Sequence, residues 1–466
     1  MNKVFCIICF CSCFFSLSFA QPPGPRLTLQ QAVQAGLQNY GTIKAKGNYV
    51  NAAKASVKEL RREYLPDLSI SGQQDYGTVN GQNGPLYGYR GLGVASAGPA
   101  LQYQSWNAAF GALYLANVNW DFFAFGRAKE KVKLGESLQA ENETDLEQEK
   151  FQQQIRVAGA YLNLLAAQRL RKSQEDNLSR ADSLRYVVVA RAKNGLNPGV
   201  DSSLANAEVS NARIALTDAI NLEQQQNNTL AELMGVVEPP VEYELDTFFV
   251  SRIPVTFYDT AQLREHPLLK YYQSRIAVSD QQARYYKTFG LPVFSLFSVF
   301  QGRGSGFEYS YGALNPDGYN KGYGVGVNPT RSNYVVGLGV TWNLTNPLRV
   351  QQQVAAYRFN SRGLQDEYDL VNLQLTNQLK LSDNKIRNAM ANYREAPVQV
   401  KAARDAYTQK TVMYQHGLSN IVDVTQALFT LNRAETDRDI AYNNVWQALL
   451  LKAAALGDFG IFTGGF

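Results

Sequence analysis

Cysteine is missing from the chain beyond residue 13: Cys6, Cys9, Cys11 and Cys13 lie close together near its start, and none follows. Everything downstream is therefore built without a disulfide framework or a thiolate metal site. Histidine is nearly missing too, with only His266 and His416 in unrelated contexts. No serine, cysteine or paired-carboxylate constellation suggests bond chemistry, so no catalytic residue, metal or cofactor is expected. A formal charge of +5 without a concentrated basic block argues against a nucleic-acid partner. After residue 20 no stretch holds eighteen consecutive apolar residues. That excludes helical membrane spans but leaves a β-barrel open, because barrel strands alternate and never read as one apolar block.

What is present begins with an export signal over residues 1–20. Lys3 gives a positive start, residues 4–19 are apolar apart from serines, and Ser18 and Ala20 place small side chains before a cut at Gln21. Pro22, Pro23, Gly24 and Pro25 follow, where a membrane anchor would have a basic stop. The clustered cysteines also raise lipid attachment, with Ser12-Cys13 as the nearest candidate in surroundings poorly suited to it. Removing the signal leaves 446 residues and a charge of +4.

The remaining chain repeats itself at an offset of 222 residues. Trp120 and Arg127 match Trp342 and Arg349; Gly195, Leu196 and Asp201 match Gly417, Leu418 and Asp423. Ala205, Ala212 and Gly235 match Ala427, Ala434 and Gly457. The start of each half agrees with a slip of four or five residues, Tyr64-Leu65-Pro66 answering Gly290-Leu291-Pro292. Each half reads as helix, strand, loop, strand, long helix, turn, helix. The expected division is a first repeat over 21–235, a linker over 236–258, a second repeat over 259–457 and a tail over 458–466.

Four segments alternate with period two: Leu68 to Gln73, residues 110–122, 293–301 and 334–344. Phe110, Ala112, Tyr114, Ala116, Val118 and Trp120 share one face of the second, and Tyr334, Val336, Leu338, Val340 and Trp342 one face of the fourth. An ordinary amphipathic sheet would read alike. An exported chain, aromatic residues near the strand ends and no other apolar partner favour a barrel wall with lipid outside and water inside. Glycine-rich connections are expected at 79–107 and 302–333; Gly302 to Gly306 only superficially resembles a phosphate loop, and nucleotide binding is rejected. Four strands cannot close a barrel without leaving backbone groups unpaired in hydrocarbon, so several chains must pool theirs. Two, three or four copies satisfy that requirement.

Residues 128–193 and 350–414 read as long helices, roughly 100 Å each at 1.5 Å per residue, with a kink or break expected at Pro397. Phe151, Ile155, Ala158, Leu162 and Leu165 form a heptad seam, as do Ile421, Val424, Leu428 and Leu431. The faces between are polar, as walls wetted on both sides would be. The turns at Gly195 to Asp201 and Gly417 to Asp423 each put an aspartate at the opening of the next helix, where it can cap exposed amides. In a symmetric oligomer each aspartate also joins a ring, whose repulsion would raise the carboxyl pKa values and favour cations.

These residues together resemble the TolC-like outer-membrane efflux proteins over essentially the whole mature chain. The matching marks are the Leu27 to Tyr40 helix, the Leu65-Pro66 start of a strand, Trp120 to Arg127 with its copy, the two Gly-Leu turns, and Val422-Asp423-Val424 followed by Ala427. The resemblance implies a mixed α/β membrane protein: a homotrimer whose transmembrane β-barrel, four strands from each chain, continues into a periplasmic coiled-coil α-barrel. It implies an outer-membrane location in contact with lipid, and partnership with a periplasmic adaptor (membrane fusion) protein and an inner-membrane pump, in tripartite efflux or type I secretion. By position it places Asp423 at the periplasmic gate, with Gln426 where the family often has a second acid. It makes Arg191, Gly195, Leu196, Asp201, Gly417 and Leu418 adaptor-contact tips. The alternatives are a barrel-anchored coiled-coil scaffold or adhesin without transport, expected to have a solid apolar bundle, and an exported enzyme, which would need a concave polar site. Cargo selection is expected to rest with the pump.

Overall fold

The computed structural model describes residues 26–81, 98, 100–238, 243–246, 248–254 and 265–464. The signal segment with its cysteines, most of the 79–107 connection and parts of the 236–258 linker lie outside the described residues. In chain order the elements are α1 (Leu29–Asn39), α2 (Gly41–Arg62), β1 (Asp67–Thr78), β2 (Ala108–Phe123), α3 (Arg127–Lys193) and α4 (Gly199–Met234). They continue with α5 (Phe248–Ser251), α6 (Pro267–Lys287), β3 (Val293–Ser305), α7 (Tyr323–Val327), β4 (Arg331–Thr341), α8 (Asn346–Gln415), α9 (Ile421–Leu456) and α10 (Gly460–Thr463). The chain divides into two compact units, one of residues 46–146 and 269–371, the other of residues 1–45, 147–268 and 372–466.

The first of these units carries the sheet, an antiparallel meander in the order β1-β2-β3-β4. Pairing sets Leu68 beside Val118 and Ile70 beside Ala116, then Trp120 beside Leu296, and Leu296 beside Leu338. Because side chains alternate, this register gathers Leu68, Ile70, Val118, Trp120, Leu296, Val336 and Leu338 on one face. Among the described residues nothing covers that face at β1 and β4, where Ile70 is 83 % and Leu338 74 % exposed. The opposite parity is polar toward the helices: Ser69 donates to Asn117 Oδ1 at 2.6 Å, and Ser295 to Asp121 Oδ1 at 2.6 Å. Gly337 also lies on that side, with the Phe297 ring so close that an added Cβ would stand 2.5 Å from it. Within the chain β1 and β4 each keep one unpaired edge.

Two expectations about this unit change. The glycine run at Gly302 to Ser305 is strand, paired with Gly111 to Tyr114, so the connection starts later than the composition suggested. Glycine there admits neighbouring backbone: an added Cβ at Gly304 would meet the Gly326 carbonyl at 2.5 Å. The last strand lies at Arg331–Thr341, not 334–344. Trp342 falls just past it, where its indole donates to the Gly290 carbonyl at 3.2 Å. Trp120 does the same in the first repeat, donating to the Tyr64 carbonyl at 2.9 Å. The duplication visible in the sequence thus fixes the strand-to-helix corner twice.

The second unit is helical. Its core gathers α1, α3, α4, α5, α9 and α10 around Tyr161, Leu162, Leu230, Trp446, Leu449 and Phe462, all fully buried. Replacing Trp446 with alanine would remove about 3–5 kcal/mol of stability. Both heptad seams are buried: Phe151, Ala158, Leu162 and Leu165 on α3, with Ile155 partly covered, and, in smaller clusters of their own, Ile421, Val424, Leu428 and Leu431 on α9. The buried Glu435 on α9 receives Arg180 of α3 at 2.8 Å and Arg404 of α8 at 2.9 Å, joining three helices. Of the kink or break expected at Pro397, the break is absent: helix α8 continues through it. One missing N–H is tolerated because buried Ala396 and Val400 keep the flanking turns packed.

Gly235 and Gly457 end α4 and α9 with φ of +69° and +77°. Against them lie Asn39 and His266, where each half begins: an added Cβ would stand 2.8 Å from the Asn39 carbonyl carbon and 2.7 Å from the His266 ring. The Nδ1 of His266 accepts the Leu268 N–H at 3.1 Å, holding the start of α6 before Pro267. Its Nε2 therefore carries the hydrogen toward the Ala454 carbonyl at 3.1 Å, and burial pushes its pKa down.

Candidate functional site

The predicted site residues converge on two turns of the helical unit, one between α3 and α4 and one between α8 and α9. Both turns are closed by the same backbone device. Gly195 N–H reaches Ala192 O at 3.1 Å and Leu196 N–H reaches Arg191 O at 2.9 Å. Gly417 N–H reaches Tyr414 O at 3.1 Å and Leu418 N–H reaches Met413 O at 2.8 Å. This is the Schellman arrangement, which satisfies the last carbonyls of a helix and needs one left-handed residue. Gly195 and Gly417 supply it with φ of +71° and +76°. Beside either, an added Cβ would meet nothing within 4 Å, so here glycine serves the backbone angle alone.

The aspartates stand in the first turn of the following helix, not at its cap, which corrects the capping assignment. Asn420 is the N-cap of α9 and its Oδ1 accepts the Asp423 N–H at 2.8 Å. Pro198 occupies the N-cap of α4 and offers no side-chain acceptor. Freed from capping, Asp423 Oδ2 accepts Lys410 Nζ at 2.9 Å and Ser419 Oγ at 3.0 Å. The Lys410 hydrogen bond first, and the Ser419 hydroxyl second, hold the Asp423 carboxyl below the ordinary carboxyl range. Within one chain this opposes the rise that a ring of aspartates would bring. Asp201 Oδ2 instead accepts the neutral Asn197 amide at 2.8 Å.

Arg191 joins the two turns. Its Nη1 donates to the Gln415 carbonyl at 2.6 Å, its Nε to Asn197 Oδ1 at 2.9 Å, and its guanidinium lies 5.6 Å from the Tyr414 ring centre. Asn197 also donates to the Tyr414 hydroxyl at 3.0 Å. Burial, and then the nearby Asp201 charge, push that hydroxyl's pKa up, against the pull of Arg191. Leu196 and Leu418 project outward, 67 % and 73 % exposed. Gln426 is exposed on α9 and forms no side-chain hydrogen bond to Asp423. The sequence reading missed Asn197, Lys410, Tyr414 and Asn420. Only Asn420 announced itself, as a capping residue directly before a periodic run.

Among the described residues no cluster of potential metal ligands occurs, and no helix is long and apolar enough to cross a membrane.

The fold is shared with solved outer-membrane channels. VceC of Vibrio cholerae superposes with a TM-score of 0.72 at 16 % identity, over 92 % of this chain and 96 % of that one. CmeC of Campylobacter jejuni gives 0.74 at 12 %, over 92 % and 85 %. The open state of the Neisseria gonorrhoeae channel MtrE gives 0.71 at 14 %, over 92 % and 89 %. No curated protein sequence matches the chain significantly. The sequence profile described as "Outer membrane efflux protein" matches residues 32–236 and 311–457, one segment in each half and most of the chain. The chain is a member of the outer membrane efflux protein family, and its place is the outer membrane.

Proposed function

We propose that three copies of this chain close one β-barrel and extend it into a periplasmic α-barrel. Through it, cargo passes passively from an inner-membrane pump, handed over by a periplasmic adaptor, in tripartite efflux or type I secretion. The observation that carries this reading is the sheet: one apolar face, one polar face and two unpaired edges, in the same chain as helices of 67 and 70 residues. Open edges in hydrocarbon leave backbone groups unsatisfied, and pairing β4 of one copy with β1 of the next removes both. Asp423 is proposed to line the periplasmic gate with Gln426 beside it. The tips formed by Arg191, Gly195, Leu196, Asp201, Gly417 and Leu418 are proposed to meet the adaptor. The two repeats, 21–235 and 259–457, supply equivalent halves of the wall.

The test is single-channel recording of the purified particle in planar bilayers, with its mass measured in detergent. A trimer that conducts weakly, and opens with reduced cation preference in Asp423→Ala, is expected. A monomer, or a trimer that never conducts, overturns the channel reading; unchanged conductance and selectivity in the variant overturn the gate assignment alone.

A further inference from the structure

The duplicated strand-to-helix corner leaves a cleft in each repeat of the sheet-bearing unit, and the two clefts differ in charge. In the first, about 680 Å³, Arg61, Arg127, Lys129 and Lys133 line the walls together with the carboxylates Glu136 and Asp121. Here Arg61 is neutralised by Glu136 at 2.7 Å, and Lys133 pairs with Glu130 at 2.8 Å. In the second, about 570 Å³, Lys287, Arg358 and Arg362 line the walls with no carboxylate among them. Position 358 is the repeat mate of 136, so an arginine stands where the first cleft holds its neutralising glutamate. None of these three cations forms an ion pair among the described residues; Arg362 lies over the Phe359 ring at 5.5 Å.

Apart from Gln351 the rest of the second cleft is lined by apolar residues, among them Leu291, Pro347, Val350 and Val354. Pro347, Val354, Arg358 and Arg362 follow spacings of seven, four and four along α8, which puts them on one helix face. That face runs from apolar, next to the sheet, to cationic about four turns away. The apolar sheet face ends at the same corner, with Val340, Trp342 and Leu344 exposed. Hydrocarbon at the sheet and positive charge beyond it is the order of groups in one leaflet of a bilayer.

We infer that the cleft of Lys287, Arg358 and Arg362 is a binding site for the phosphate of an anionic phospholipid of the inner leaflet, its acyl chains lying toward Leu291 and the apolar sheet face. Three cations in a cleft that no carboxylate lines attract a phosphodiester, and the arginine forks match its oxygens. The first cleft, where Asp121 and Glu136 stand among the cations and Arg61 and Lys133 are already paired, serves as the internal control. The site rests on the outer-membrane channel reading, which sets the sheet in lipid.

Native mass spectrometry of the full-length particle, incubated with equal phosphatidylglycerol and phosphatidylcholine of matched chains, tests the site. Retention of phosphatidylglycerol over phosphatidylcholine by roughly tenfold is expected. Arg358→Gln with Arg362→Gln should lose that preference, while Lys129→Gln with Lys133→Gln should keep it. Equal retention of the two lipids, or equal loss in both double variants, overturns the inference. Displacement by millimolar inorganic phosphate shows a free-anion site and overturns the lipid assignment. Loss of the oligomer in Arg358→Gln with Arg362→Gln shows that the cations face acids of a second copy, and overturns it as well. Conductance in phosphatidylcholine bilayers reads the channel function separately, so a failed lipid site and a failed channel remain distinguishable.

Discussion

The turn after α3 and the turn after α8 share a backbone and differ in their side chains. Both end a long helix in a Schellman motif around a left-handed glycine, and both set an aspartate in the first turn of the next helix. The first then holds its aspartate with a neutral amide, Asn197, and sends Arg191 across to its neighbour. The second holds Asp423 with a cation, Lys410, whose repeat mate in the first half is the fully buried Val188. A duplicated chain can change side chains freely where they reach outward, but not the residue whose φ closes the turn. One turn has become the tie between hairpins, and the other keeps a charge pair that pH can address.

The largest effect that would sharpen this comparison comes from the four left-handed glycines that end α3, α4, α8 and α9. Gly417→Ala and Gly195→Ala should each cost about 1–2 kcal/mol, the penalty of a left-handed alanine in open space. Gly457→Ala and Gly235→Ala should cost more, about 3–4 kcal/mol, because the new methyl also meets the backbone of His266 or Asn39. Denaturant midpoints of the four purified variants check the order. Equal losses would mean that the close approach to His266 and Asn39 relaxes, leaving the backbone angle as the whole reason for glycine.

Next in size is the tie itself. Arg191→Gln removes a charged donor from the Gln415 carbonyl and from Asn197, at a cost of about 2 kcal/mol. Amide exchange should rise in both turns, at residues 194–201 and 415–420, although the substitution lies in only one. Lys410→Met should raise exchange around 419–423 alone. If Arg191→Gln leaves the second turn unchanged, the two hairpins are held together by the buried contacts of Leu184, Val188, Tyr414 and Val424 instead.

Much of the fold was legible because the sheet and helices obey simple periods. Alternation found all four strands, the last of them three residues too late, and the 222-residue offset tied Trp120 to Trp342, which make matching hydrogen bonds. What misled was local. The glycine at 304 read as loop because composition cannot show that a neighbouring backbone needs the space above it. A break stood open at Pro397 because tertiary packing along α8 is invisible to propensity. At the site, the aspartates were found by repetition and given the wrong local role, since Asn420 and Pro198 already held the cap positions. Lys410 and Tyr414 carried no signal, because their partners lie across a turn or on the other hairpin.

The smallest effect on stability concerns Asp423, whose exposure leaves its charge pair well screened. Its folded pKa lies below the ordinary carboxyl value, with the Lys410 hydrogen bond as the first cause and Ser419 as the second. The sign follows from linkage: the stabilisation is complete above the unfolded carboxyl value and fades as pH falls through the lowered folded value. Acidification from neutral pH should therefore leave the turn intact until that range is reached, and then free Lys410. If the aspartate lines a gate, single-channel conductance should hold steady down to that pH and change below it, and Asp423→Asn should show the acid behaviour at neutral pH. Lys410→Met should move the transition upward, toward ordinary carboxyl values and beyond them if neighbouring copies bring their own aspartates close. A transition that stays put in Lys410→Met would mean that Ser419 and the helix amides, not the lysine, hold the charge, and the two turns would then differ less than their partners suggest.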